Sequence, residues 1–178
     1  MCVNNKYRGI LLAILCIYVS TSTVDAQSLE KLDTKHGFQD IKLDSEISDY
    51  SNLVLRKSIK IKKSEEPILL YEREKGSYQK IGDVSIKDFE VRSFLGKIIE
   101  IKIIAPKDTD IMKALKLLYG EPNFSVRSNA WEWRSEGVLL SVRAIGKNKL
   151  EIIYASRKLN QYIKDLKEEG IESISTDF

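Results

Sequence analysis

The sequence predicts an α+β fold in which an antiparallel sheet carries two or three helices on one face. In residues 99–103, isoleucines alternate with Glu and Lys, as in a half-buried strand. Between Asp108 and Gly120, apolar residues recur at helical spacing. Gly-Lys turns begin at Gly96 and Gly146, 50 positions apart, and each lies between strand-like runs. The similarity of these two turn segments favours two repeated units, each a helix followed by strands. Two unrelated hairpins are the alternative.

The elements follow in order from residue 37. Residues 38–43 resemble a short strand, and residues 45–55 are expected to hold a helical turn with Ser45 as N-cap. Residues 58–63 alternate Ile with Lys and predict an edge strand, which Pro67 separates from a strand at 68–71. Residues 77–104 have strand patterns throughout and turn at Gly96.

A well-bounded helix comes next. Asp108 or Thr109 can cap it, Gly120 ends it, and Pro122 prevents its continuation. Strands are then expected at 124–126, 131–133, 138–144 and 150–154. Ser156 can cap a last helix at 157–169 that stops at Gly170. The predicted organisation is a polar, loosely held leader at 27–36, a single domain at 37–170 and a mobile tail at 171–178.

Residues 1–26 have the pattern of a cleaved signal peptide. Lys6 and Arg8 precede an apolar run of about eleven residues at 9–19, whereas a membrane-spanning helix needs about 20. Small residues before Gln27 fit cleavage after Ala26, with an uncleaved anchor as the alternative. We therefore expect export to the periplasm or the extracellular space, with no membrane insertion after cleavage.

Composition excludes several function classes for the predicted 152-residue mature chain. Cys2 and Cys16 both lie before the cleavage site, so no disulfide, thiolate zinc site or Cys-His catalysis is expected, and Leu15 before Cys16 argues against lipid attachment. The mature chain has 27 basic and 25 acidic residues, and this near-neutral net charge does not favour nucleic-acid binding. Its one histidine, His36, lies in the polar leader without a Gly-x-Ser-x-Gly motif. No catalytic residue, cofactor or metal site is predicted.

Acidic residues offer two further possibilities. Asp44, Glu46 and Asp49 are close in sequence, but their spacing lacks the glycine and last glutamate of a calcium loop, so capping explains them better. Glu132, paired with Glu136 or Glu100, could serve as an acid in a glycan cleft.

The two tryptophans are the most informative side chains. Trp131 and Trp133 are one residue apart in a strand and project to one face, while Glu132 and Arg134 project to the other. Because the alternate residues are charged, we expect the rings to face inward. In a second arrangement, one ring lies in the core and the other at the rim of the sheet. In a third, both rings are exposed and form an aromatic platform that could bind a partner.

The run Ala114-Leu115-Lys116-Leu117-Leu118-Tyr119-Gly120-Glu121-Pro122, followed by Trp131-Glu132-Trp133 and a Gly-Lys hairpin, resembles small exported bacterial envelope proteins. These are the SmpA/OmlA-type assembly lipoproteins and proteins of the β-lactamase-inhibitor-like fold. The similarity covers about 45 residues, and the chain departs from the lipoprotein pattern because it lacks the acylated cysteine. The resemblance implies a binding or assembly role.

The predicted function is therefore an exported, non-enzymatic binding or envelope-assembly module that recognises a protein or a surface polymer such as a glycan. The candidate binding residues are Tyr119, Trp131, Glu132, Trp133 and Arg134. A small carboxylate-based glycan hydrolase using Glu132 is the alternative, and a purely structural envelope protein is a third class.

Overall fold

The computed structural model describes residues 23–61 and 64–175. Most of the predicted signal peptide and the end of the predicted tail lie outside these residues. The helices are α1 (Thr23–Lys35), α2 (Thr109–Tyr119) and α3 (Arg157–Ser175), with a 3-10 turn at Ile47–Asp49. The strands are β1 (Gly37–Phe38), β2 (Ile41–Lys42), β3 (Leu53–Ile59), β4 (Ile68–Arg73), β5 (Lys80–Ile81), β6 (Val84–Ser85), β7 (Asp88–Phe94), β8 (Lys97–Pro106), β9 (Asn123–Ser125), β10 (Ala130–Arg134), β11 (Val138–Ile145) and β12 (Lys149–Ser156). No helix within these ranges is long and apolar enough to cross a membrane.

Eight strands form one antiparallel sheet in the order β3-β4-β7-β8-β12-β11-β10-β9, so the predicted α+β class and antiparallel sheet are confirmed. The first four strands and the last four occupy separate halves, which meet where β8 pairs with β12. Gly96 and Gly146 stand in the turns before β8 and β12, with φ of 78° and 62°. The two Gly-Lys turns thus join the third and fourth strands of their respective halves.

The helices occupy both faces of the sheet. Leu32 of α1 and Leu115 of α2 pack in the main core with Ile152 and other inward residues of the sheet. Ile163 of α3 packs in a second cluster with Phe94 and Ile99. The predicted gathering of the helices on one face is not confirmed, because α3 covers the opposite face.

The segment predicted as a loosely held leader is instead helical. Helix α1 runs to Lys35, and its Leu32 is fully buried in the main core. The polar composition misled the prediction, since a helix that buries one narrow stripe needs few apolar residues.

The helical turn expected within residues 45–55 is present as the short 3-10 turn at Ile47–Asp49, and β3 begins four residues later, at Leu53. The Ser45 hydroxyl donates back to the Lys42 carbonyl at 2.7 Å, so it closes a turn and caps no helix. The edge strand predicted at 58–63 is displaced: β3 is an edge strand but runs from Leu53 to Ile59, residues 60 and 61 are not in a strand, and residues 62 and 63 lie outside the described chain.

Helix α2 matches its prediction closely. Asp108 accepts a hydrogen bond from the Asp110 N–H at 2.7 Å, and Gly120 stands at the C-cap. At the C-terminus, α3 passes through Gly170 and continues to Ser175, into the segment predicted as a mobile tail. A single glycine inside a helix costs only about 1 kcal/mol, which is too little to end it.

Candidate functional site

An exposed aromatic pair occupies the last two strands of the sheet. Trp131 of β10 lies directly opposite Phe124 of β9, and their ring centroids are 4.9 Å apart in an edge-to-face arrangement. Trp131 is 44% exposed, and Phe124 of β9 and Val126, just after β9, are exposed as well. We call Phe124, Val126 and Trp131 the aromatic edge. Strand β9 is three residues long and forms the edge of the sheet.

Trp133 has a different environment from Trp131 although both project to one face. It is 1% exposed, and its Nε1 donates to the Gly120 carbonyl at 2.8 Å. Tyr119, at the end of α2, is buried as well. The structure thus has the mixed arrangement, with one ring in the core and one at the rim, and no platform of two tryptophans forms.

The opposite face of β10 is polar. The Glu132 carboxylate accepts hydrogen bonds from the Ser128 hydroxyl at 2.7 Å and from the Arg134 guanidinium at 2.9 Å. Burial would raise the pKa of Glu132, but these hydrogen bonds and the charge of Arg134 outweigh burial and lower it. Glu132 is therefore held as a carboxylate, which suits a fixed acceptor better than a proton donor.

Glu132 and Arg134 line a groove of about 720 Å³ between β10–β12 and the start of α3. Glu100 and Glu136, the proposed partners of Glu132, also line it. Burial raises the pKa of Glu100 even though the charges of Arg92 and Lys102 lower it. The groove thus contains one carboxyl with a raised pKa and one with a lowered pKa, as in an acid–base pair.

Strand spacing separates these acids. Glu100 is on β8 and Glu132 on β10, with β12 and β11 between them. Three strand spacings amount to about 14 Å between the backbones. This separation exceeds the 5–10 Å of glycosidase carboxyl pairs, so only a large approach of the side chains would bring Glu100 and Glu132 into range. Glu136 is outside the strands, in the turn between β10 and β11.

His36 lies in a hydrogen-bonded chain with Asp44 and Ser156. Its Nε2 is 2.9 Å from Asp44 Oδ2, and the Ser156 hydroxyl donates to Asp44 Oδ1 at 2.6 Å. The carboxylate stands between histidine and serine, whereas in a hydrolytic triad the histidine contacts the serine. Ser156 also accepts the Leu159 N–H at 3.2 Å, so it caps α3. The arrangement joins the segments before β1 and after β2 to the end of β12.

Metal ligands are not gathered in the described part of the chain, where no group of three His, Cys, Asp or Glu side chains converges. Glu46, one of the acids considered for calcium, pairs with Lys97 at 2.8 Å. On the polar sheet face, Glu90 pairs with Arg92 and with Lys102, at 3.0 Å in each case.

Two contributors to the site were not predicted from the sequence. Phe124 was assigned to a strand without a role, and only its position opposite Trp131 makes it part of the aromatic edge. Ser128 lies in a turn, and nothing in its sequence context indicates that it holds Glu132.

Comparison with protein families, with curated proteins and with solved structures finds no match to this chain.

Proposed function

We propose that the chain is an exported, non-enzymatic binding or envelope-assembly module that recognises a protein or a surface polymer through the aromatic edge. The observation that carries the proposal is the exposed Trp131 ring, held edge-on by Phe124 at 4.9 Å. Tryptophan is enriched among the residues that dominate binding energy, and a ring held by a neighbour loses little entropy on binding.

The backbone beside these rings supports the same role. Strand β9 pairs with β10 on one side, and on its other side no strand of the described chain adds to the sheet. An extended partner segment can pair with such an edge while its side chains contact the neighbouring rings. Trp131 and β9 therefore offer both a hydrogen-bonding edge and an apolar contact.

Three other features agree with an envelope protein. The N-terminal pattern is that of an exported chain, and the helix–Gly-x-Pro–tryptophan run resembles assembly proteins of the bacterial envelope. In addition, each half of the sheet follows a helix, α1 for the first half and α2 for the second. This arrangement supports the interpretation of two repeated units, with α1 in place of the helix expected at 45–55.

The test is capture by the full-length chain from envelope and secreted fractions of its own organism, with mass spectrometry as the readout. A stoichiometric protein or a defined glycan should be retained by the unaltered chain. Trp131→Ala and Phe124→Ala should reduce the amount captured at least tenfold, while Leu117→Ala, which truncates a more exposed apolar side chain on α2, should leave capture unchanged.

Equal capture by all four proteins would refute the role of the aromatic edge. A folded chain that retains nothing would favour the purely structural class. Thermal unfolding of each variant shows whether a loss of capture reflects binding rather than folding.

The glycan hydrolase stays as a second candidate because of the opposite pKa shifts of Glu100 and Glu132 in one groove. Its test is a screen of soluble glycans for released reducing ends. Activity that disappears in both Glu132→Gln and Glu100→Gln would favour the enzyme, and activity that persists in Glu132→Gln would exclude a catalytic role for Glu132.

A further inference from the structure

A second recess lies on the face of the sheet that carries α1 and α2, away from the polar groove. It has a volume of about 250 Å³ and lies between α2, the hairpin of β5 and β6, and the centre of the sheet. Its lining is predominantly apolar: Phe38, Ile81, Ile103, Ile111, Ala114, Leu115, Leu118, Tyr119, Ile152 and Tyr154, with Lys35, Gln39 and Gly82 also contributing.

The recess is closed at its base and open at its rim. Ile103 and Ile152, from the two central strands, are almost completely buried, as is Tyr154. Leu118 is 49% exposed, and Gly82 at the tip of the hairpin is exposed as well. An apolar molecule can therefore enter from solvent, which distinguishes the recess from a packing void.

One basic residue contributes to the lining of the recess. Among the lining residues, all within the described chain, Lys35 is the one that carries a charge. The ammonium group of Lys42 donates to the Lys35 carbonyl at 2.6 Å, which brings a second positive charge to the same end of α1. No carboxylate lines the recess, so an anionic group beside Lys35 would meet attraction from nearby charges.

At the base, Tyr119 and Tyr154 form the polar part of an otherwise apolar wall. Burial raises the pKa of each phenol, so both side chains stay neutral and the base of the recess carries no charge. Most of the surrounding lining is apolar, which makes this end of the recess suited to a hydrocarbon terminus.

We propose that this recess binds one medium-chain carboxylate of about eight carbons, with its alkyl chain inside and its carboxylate beside Lys35. A cavity of about 150 Å³ holds benzene, and 250 Å³ therefore fits a ligand of roughly eight to ten heavy atoms. The site is separate from the aromatic edge and does not depend on the function proposed for it.

The experiment is calorimetric titration of the full-length chain with hexanoate, octanoate, decanoate and dodecanoate below their micelle concentrations. Each buried methylene strengthens binding roughly fourfold, so octanoate should bind about fifteenfold more tightly than hexanoate. The increase in affinity with chain length should stop near eight to ten carbons, where the recess is full.

Two variants locate the ligand. Ala114→Trp places an indole in the recess from an exposed helical position and should abolish octanoate binding, whereas Leu117→Trp adds the same side chain to α2 outside the lining and should leave it unchanged. Lys35→Gln should weaken octanoate about two- to fivefold and leave 1-octanol unchanged.

Absence of saturable binding would overturn the proposal, as would equal binding by Ala114→Trp and Leu117→Trp. An affinity that keeps rising through dodecanoate would indicate adsorption to a surface and would also overturn it. If Lys35→Gln affects octanoate and 1-octanol alike, the assignment of a carboxylate ligand is wrong.

Discussion

The Asp33 carboxylate accepts a hydrogen bond from the Ser135 hydroxyl at 2.6 Å, across 102 positions of the chain. The same carboxylate accepts the backbone N–H of Gly137 at 2.9 Å and that of Glu136 at 3.1 Å. Helix α1 is thereby joined to the turn between β10 and β11, which positions the strand that carries Trp131.

Replacing Asp33 with Ala should lower the free energy of unfolding by about 2–4 kcal/mol, because three donors in the turn lose a charged acceptor. Urea unfolding followed by circular dichroism measures the change. Glu30→Ala, at an exposed position of the same helix, should change the free energy by less than about 0.5 kcal/mol. Equal effects of the two substitutions would show that the contact contributes nothing.

The contribution of Asp33 should depend on pH. Burial would raise its pKa, but the hydrogen bonds from Ser135, Gly137 and Glu136 outweigh burial and lower it. A carboxyl with a lowered pKa in the folded state stabilises that state above its unfolded pKa of about 3.9. The stability difference between the unaltered chain and Asp33→Asn should therefore be full near neutral pH and shrink as the pH falls through the lowered pKa. A difference that is constant from pH 7 to pH 2.5 would contradict this.

The two tryptophans should respond differently to truncation. Trp133→Ala should cost about 3–5 kcal/mol of unfolding free energy, since a fully buried ring leaves a cavity and the Gly120 carbonyl loses its donor. Trp131→Ala should cost about 1–2 kcal/mol, since its ring is exposed and loses chiefly its contact with Phe124. Chemical unfolding of both variants tests the order, and a reversed order would mean that the rim ring supports the core.

Gly37 should tolerate no side chain. Its φ is 157°, and a Cβ atom there would lie 2.0 Å from the Ile41 carbonyl oxygen. Gly37→Ala should therefore cost about 3 kcal/mol or more. Gly146 has φ of 62° and open space around it, so Gly146→Ala should cost only about 1–2 kcal/mol of backbone strain. Melting temperatures of the two variants provide the comparison, and similar values would show that the turn at Gly37 relaxes.

Helix α3 should depend on the sheet for its stability. Its first turn carries Arg157 and Lys158, which oppose the helix dipole, and Ile163 fixes it in the second apolar cluster. A peptide of residues 157–175 should be largely unfolded by circular dichroism. In the whole chain, Ile163→Ala should cost about 2–4 kcal/mol and exposed Lys164→Ala less than about 0.5 kcal/mol. A helical peptide would contradict this dependence.

Local signals in the sequence predicted the elements that have clear caps and turns. Asp108, Gly120 and Pro122 correctly mark the two ends of α2, and Gly96 and Gly146 mark the hairpin turns that lead into β8 and β12. These features depend on capping and turn chemistry, which act over a few residues.

The features that the sequence did not reveal depend on distant partners. Helix α1 has few apolar residues, and the contact of Asp33 with Ser135 is invisible before the fold is known. Likewise, the different exposure of Trp131 and Trp133 on one strand follows from their neighbours, since Trp133 packs in the main core against the end of α2 whereas Trp131 contacts Phe124 of the edge strand. Strand order also brings Glu100 and Glu132 into one groove and sets their separation.

The position of β12 determines when the sheet can be completed. It is the last strand in sequence, yet it lies between β8 and β11 and makes the only strand-to-strand connection between the two halves within the described chain. During synthesis, neither half can join the other until residues 149–156 have emerged. A chain that ends before Lys149 would consist of two short sheets whose inner edges are both unpaired, a product prone to aggregation and degradation.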